Sequence, residues 1–159
     1  MPISWSPTLE TGLSAIDNDR KRLIEIINLF EDTQAVYDAQ MCSPQMLAGL
    51  HSLLKEYFDR EEDVMFKIEY PGADKHLMAH CTLLSSLDML MLSYKETACS
   101  DLIIDFITDR ITDHLSNEDT SLASFIQHKR RLQAERVKML AIKSQKPGSA
   151  RQVGPPPRR

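Results

Sequence analysis

His76 and His80 stand four residues apart in a stretch whose apolar residues recur at helical spacing, and His114 is followed five residues later by Asp119. At about 3.6 residues per turn the first two share one helix face, one turn apart, a spacing that clasps a metal ion between two imidazoles. Glu61 lies in the charged run Asp59-Arg60-Glu61-Glu62-Asp63 on another predicted helix. Three helices can therefore bring imidazole nitrogens and carboxylate oxygens to one point in a bundle core. Such a set suits iron, manganese or zinc, and three His with one or two carboxylates fill four or five positions around the ion. Two plainer readings stand beside this one. An i,i+4 His pair is as often a surface or hydrogen-bonded pair, and an acidic run is more often a solvated face. No Ser-His or Cys-His arrangement shows a spacing that signals nucleophilic catalysis, so binding rather than an enzymatic activity is expected.

The elements that must position these residues read as helices. Only five Gly interrupt 159 residues, and apolar side chains return every three or four positions over long stretches, so an all-α fold is expected. Asp17 is placed to cap a first helix bearing Leu23, Ile26, Ile27 and Phe30 and ending near Tyr37. Ser43 and Pro44 are an N-cap and first-turn pair, and Leu47, Leu50, Leu54, Phe58 and Met65 carry the second helix to about Ile68. Tyr70, Pro71 and Gly72 break the chain. Asp74 opens a third helix through Leu77, Leu84, Leu87 and Leu90 to about Tyr94. A fourth starts at Cys99 to Ser100 and carries Leu102, Ile103, Phe106, Ile107, Ile111 and Leu115; a further, basic helix carries Leu122, Phe125, Ile126, Leu132, Val137 and Leu140 toward Lys143. Short connections favour an antiparallel up-down four-helix bundle over about residues 17 to 118.

Charge divides the chain. Residues 1–128 hold 22 Asp and Glu against 9 Lys and Arg, a net −13, whereas residues 129–159 hold 10 basic residues and the single acid Glu135, a net +9. The expected organisation is a bundle over 1–128, a basic helical extension over 129–143 and a disordered, basic, Pro-rich tail over 144–159. The basic arm is either a solvated terminus or a contact for an acidic protein partner; nucleic acid is disfavoured by the acidic body and by the lack of aromatic residues in the arm. Cys42, Cys81 and Cys99 are too few and too irregularly spaced for a disulfide framework or a thiolate metal site, and read as reduced, buried thiols. No apolar run reaches the roughly 18 residues of a membrane span, and Met1 to Glu10 lack signal-peptide order, so the expected address is the cytoplasm.

Taken in order, four blocks resemble the hemerythrin family, bacterial hemerythrins in particular, over about residues 3 to 128. They are Ile3-Ser4-Trp5 with Gly12, Ile16-Asp17, Leu23 and Asn28; Phe58-Asp59-Arg60-Glu61-Glu62-Asp63-Val64-Met65; Tyr70-Pro71 followed by His76 and His80; and His114-Leu115-Ser116-Asn117-Glu118-Asp119. The resemblance implies a four-helix bundle holding two non-haem irons, bridged by one Glu and one Asp. It places the three-histidine iron on His76, His80 and His114 and the bridging carboxylates on Glu61 and Asp119. The two histidines of the second iron fall on Arg20 and Tyr57. Since the resemblance places dioxygen on that second iron, reversible oxygen carriage loses its centre here.

Arg20 either bridges the two carboxylates in place of the lost ion or points to solvent beside Lys21 and Arg22. Tyr57 either ligates iron as a phenolate or packs and hydrogen-bonds as a buried tyrosine. His51, six residues before Tyr57, lies about 9 Å away along a helix and is read as an ordinary helix residue. The leading expectation is a metal-binding protein holding one ion, iron or else zinc or manganese, in a sensing, redox or storage role. Its alternatives are a metal-free interaction module in which Arg20 replaces metal charge, and an oxygen-binding diiron protein with unusual ligands.

Overall fold

The computed structural model describes residues 3–33, 44–93, 103 and 105–144, and among them every regular element is helical. Helices α1 (Ser14–Thr33), α2 (Pro44–Lys67) and α3 (Ala73–Ser93) are followed by a π-helical turn (Phe106–Arg110), α4 (Ile111–His114), a second π turn (Leu115–Asp119) and α5 (Thr120–Ser144). The predicted helix end near Tyr37, the Ser43 cap, the end near Tyr94, the start at Cys99 to Ser100, Cys42, Cys99 and the tail beyond Ser144 lie outside the described residues.

The fold is an all-α helical bundle whose main core gathers Ile16, Leu23 and Ile27 of α1, Leu47, Leu54 and Phe58 of α2, Leu83 and Leu87 of α3, and Ile107, Ile111 and Leu115. Each such side chain, fully withdrawn from water, contributes about 1.5–3 kcal/mol. A smaller cluster joins Met65 of α2 to Leu122 and Ile126 of α5. Glu61 lies between Phe58 and Met65, and Asp119 between Leu115 and Leu122, so the polar residues fall where one apolar cluster gives way to the other.

Local structure differs from the sequence reading in four places. First, α1 begins at Ser14, not Asp17. Asp17 works from inside the first turn, its carboxylate accepting from Thr11 N at 2.8 Å, Thr11 Oγ1 at 2.6 Å and Gly12 N at 3.0 Å, which fixes the reversal at Gly12, where φ is 72°. Second, Leu77, expected on the apolar face of α3, is exposed, whereas His76, His80, Leu83 and Leu87 are buried and Leu84 and Leu90 pack against the core. Third, Cys81 follows His80 onto the outward side and is an exposed thiol, not a buried one. Fourth, no break separates the fourth helix from the basic one, because Ile111, Leu115 and Thr120 all keep right-handed helical dihedrals.

Contacts divide the chain into two units, Met1–Gln127 and His128–Arg159. In the second, every described residue, 128–144, is exposed, including Leu132, Val137, Met139, Leu140 and Ile142.

Candidate metal centre

Two backbone features deliver the donors. The turn between α2 and α3 closes with Tyr70 N–H donating to Met65 O at 3.0 Å and Glu69 in a left-handed conformation (φ 53°), and His76 N–H then donates to Gly72 O at 3.1 Å in the first turn of α3. The second π turn solves a spacing problem. Five residues of ordinary α-helix advance about 140° beyond a full revolution, which would set His114 and Asp119 on different faces. A turn closed from i to i+5 brings them back together. Two side chains bond to carbonyls of this turn: Thr120 Oγ1 donates to Leu115 O at 3.0 Å and Ser121 Oγ to Asn117 O at 2.7 Å.

His76, His80, His114, Glu61 and Asp119 are all buried, and each offers one donor atom such that all five lie within 4.8 Å of one another. His76 Nε2 is 3.2 Å from Asp119 Oδ1, 3.3 Å from His114 Nε2 and 3.5 Å from Glu61 Oε2. His114 Nε2 is 3.0 Å from Asp119 Oδ1, and His80 Nε2 is 3.5 Å from Glu61 Oε2. Neighbouring ligands on metal bonds of about 2.1 Å stand about 3.0 Å apart, so these spacings are close to those a metal ion would require. Glu61 Oε2, Asp119 Oδ1 and His80 Nε2 are buried without a hydrogen-bond partner. Such atoms are costly to bury unless a cation satisfies them, and the donor set fits a metal ion.

The opposite side of each carboxylate is already taken. Glu61 Oε1 accepts from Arg20 Nη2 at 2.6 Å, and Asp119 Oδ2 accepts a short hydrogen bond from the Tyr57 hydroxyl. Arg20 has no exposed surface. Its Nε donates to Tyr57 Oη at 2.9 Å and lies 3.7 Å from Asp119 Oδ2, its Nη1 donates to Leu9 O at 2.7 Å, and its Nη2 also donates to Asp119 O at 3.2 Å. The geometry bears on both alternatives. Arg20 turns inward, and Tyr57 packs and hydrogen-bonds.

The ionisation states follow this arrangement. Burial opposes the charge of Asp119, yet His114, His76 and Arg20 hold its carboxyl well below the usual range. Glu61 is likewise lowered, with burial and the Asp119 charge outweighed by His76, His80 and Arg20. Burial and the charges of Asp119 and Glu61 push the Tyr57 phenol well above its ordinary value. Burial alone would lower His76, but the facing oxygens of Asp119 and Glu61 raise it to about 9.

Two supporting residues were not singled out from the sequence. Glu62 Oε1 lies 2.9 Å from His80 Nδ1, an outer carboxylate that orients the ring and directs its bare Nε2 inward, whereas Nδ1 of His76 and of His114 has no such partner. Phe58 stacks on the His80 ring with centroids 3.8 Å apart and meets His114 edge-on at 5.3 Å. His51 instead pairs with Asp88 at 3.2 Å. A pocket of about 500 Å³ beside the centre is lined by His76 together with Tyr70, Lys75, Asn117, Glu118 and Thr120.

An all-helical bundle with this buried histidine and carboxylate cluster is hemerythrin-like, and sequence comparison agrees. The chain is 22% identical over 125 residues to the bacteriohemerythrin of Pseudomonas paraeruginosa, spanning 78% of this chain and 81% of that protein. It is 25% identical over 124 residues to the bacteriohemerythrin of Clostridium acetobutylicum, spanning 72% and 94% respectively. The bacteriohemerythrin of Pseudomonas aeruginosa PAO1 matches at 22% over 125 residues. No protein-family model and no solved structure matches the chain.

Proposed function

We propose that this chain binds a single non-haem iron at His76, His80, His114, Glu61 and Asp119, and that it serves a sensing, redox or metal-storage role rather than reversible oxygen carriage or catalysis. The division of the two carboxylates carries the reading. One oxygen of each faces the imidazole nitrogens without a hydrogen bond, and the other is held by Arg20 or Tyr57, so a second ion finds no free donor there. Five donors of mixed nitrogen and oxygen type favour iron over zinc, which prefers four. Iron held by these residues would supply one-electron redox chemistry. Glu62 orients His80, Phe58 walls the imidazoles, and Arg20 neutralises part of the carboxylate charge.

Elemental analysis of the chain purified without added metal tests this reading. One equivalent of iron per chain is expected. Two equivalents contradict the single site, and none favours the metal-free interaction module, a reading that Arg20 supports because it keeps the buried carboxylates paired without an ion.

The remaining parts of the reading concern address and partner. No described helix is long and apolar enough to cross a membrane, and a cytoplasmic location is proposed. The basic segment 129–159 is assigned to an acidic protein partner. Its described part is a fully exposed helix, which holds no core of its own.

A further inference from the structure

Of the two groups that stand where the resemblance has histidines, Arg20 is the charged one, and its setting is constrained. The guanidinium is fully buried and spends its donors on Leu9 O, Tyr57 Oη, Glu61 Oε1 and Asp119 O. A side chain fixed on four partners cannot swing away when an ion enters. Its positive charge therefore remains one carboxylate away from the donor cluster in every state of the site.

We propose that Arg20 makes the five-donor centre selective for divalent over trivalent ions. The inference rests on the metal-binding reading above and names what that site accepts. Glu61 and Asp119 supply two negative charges, neutral histidines supply none, and Arg20 takes one of the two away. A divalent ion leaves the buried centre at +1 and a trivalent ion at +2. Other charges nearby change this balance little. Arg60 and Asp19 pair at 2.6 Å, Lys75 and Glu118 pair at 3.2 Å, and Glu62 behind His80 is about one-third exposed (35%) and partly screened by water. Two unit charges roughly 6 Å apart in an effective dielectric of about 20 repel by an amount equal to about a hundredfold in binding. That is the penalty Arg20 places on the third positive charge. Applied to iron, the same field favours the ferrous over the ferric state.

The test uses the full chain, stripped of metal, with zinc(II) and gallium(III) as redox-inert probes in chelate-buffered solution. Wild type is expected to take up zinc in preference to gallium. Arg20→Gln, which removes the charge, should shift the zinc-to-gallium affinity ratio toward gallium by about a hundredfold, with folding checked by circular dichroism in the presence of ion. Arg20→Lys keeps the charge and should stay near the wild-type ratio. Tyr57→Phe removes a hydrogen bond but no charge and should also leave the ratio near wild type. An unchanged ratio in Arg20→Gln, or an equal shift in Tyr57→Phe, overturns the proposal. A wild-type chain that prefers gallium overturns it without any variant, which covers the case in which the glutamine variant does not fold. Failure of wild type to bind either ion refutes the metal-binding reading itself, a distinct result.

Discussion

Replacing Arg20 by Met in the metal-free protein removes a buried cation from two buried carboxylates while preserving much of its volume. The structure sets the scale of the loss. Glu61 Oε1 loses its 2.6 Å ion pair, Asp119 loses the cation 3.7 Å from its Oδ2, and the carbonyls of Leu9 and Asp119 lose donors. Breaking a buried pair by deleting one partner destabilises by about 3–5 kcal/mol, because the remaining charge stays buried and uncompensated. A domain of this size has about 5–15 kcal/mol in all, so the variant should lie near the edge of folding. Urea unfolding followed by circular dichroism at pH 7 measures the loss. A second substitution separates charge from packing. Arg20→Met with Glu61→Gln should be less destabilised than the two single losses added together, by about 2 kcal/mol, since the double variant no longer buries the Glu61 charge alone. A loss below about 1 kcal/mol for Arg20→Met, or strict additivity in the cycle, refutes the claim that Arg20 compensates these carboxylates.

Further outcomes follow from the same geometry. His80→Ala should lower iron occupancy and melting temperature together, because ion binding is coupled to folding, and elemental analysis with thermal unfolding reads both; Glu62→Gln should weaken binding about tenfold or more by freeing the His80 ring. His76 is raised from 6.5 to about 9, so its stabilising contribution to the metal-free bundle, up to about 3 kcal/mol, is complete below pH 6.5 and is lost as pH rises through about 9. Across that window metal affinity should rise instead, since the ion must displace the His76 proton, and calorimetry at several pH values checks the sign. Arg20→His combined with Tyr57→His frees the outer carboxylate oxygens and should raise the stoichiometry toward two ions per chain; an unchanged single equivalent counts against the idea that these residues stand in for a second metal. Deleting residues 144–159 should leave metal content and melting temperature nearly unchanged while weakening any complex with an acidic protein, most visibly at low salt.

Much of this centre was legible in the residues. The five donors and the two replaced positions all converge, because helical periodicity and the four ordered blocks fix which side chains face inward. What could not be read was the device that makes the spacing work. His114 and Asp119 are five residues apart, and only the π turn at Leu115–Asp119 puts both on one face, a ladder shift that propensities do not report. The same run of helical dihedrals joins the fourth helix to the basic one, which the apolar spacing reads as two helices. In α3 the apolar spacing puts Leu77 on one face with Leu84, Leu87 and Leu90, yet Leu77 is exposed while the other three are buried or packed on the core. His76 and His80, expected in the bundle core, take the inward positions of that turn, and Cys81 beside His80 lies outward. Asp17 illustrates a similar limit: its type signals a helix start, but its carboxylate reaches back across the Gly12 turn, so the start lies three residues earlier.

X-ray absorption at the iron edge of the loaded chain tests the central claim most directly. The account predicts one iron with a shell of about three imidazole nitrogens, low-Z oxygen scattering from carboxylate, and no metal scatterer at the roughly 3.5–4 Å typical of two-metal sites. A metal neighbour at that distance, or an iron lacking imidazole scattering, contradicts a single ion held by His76, His80, His114, Glu61 and Asp119.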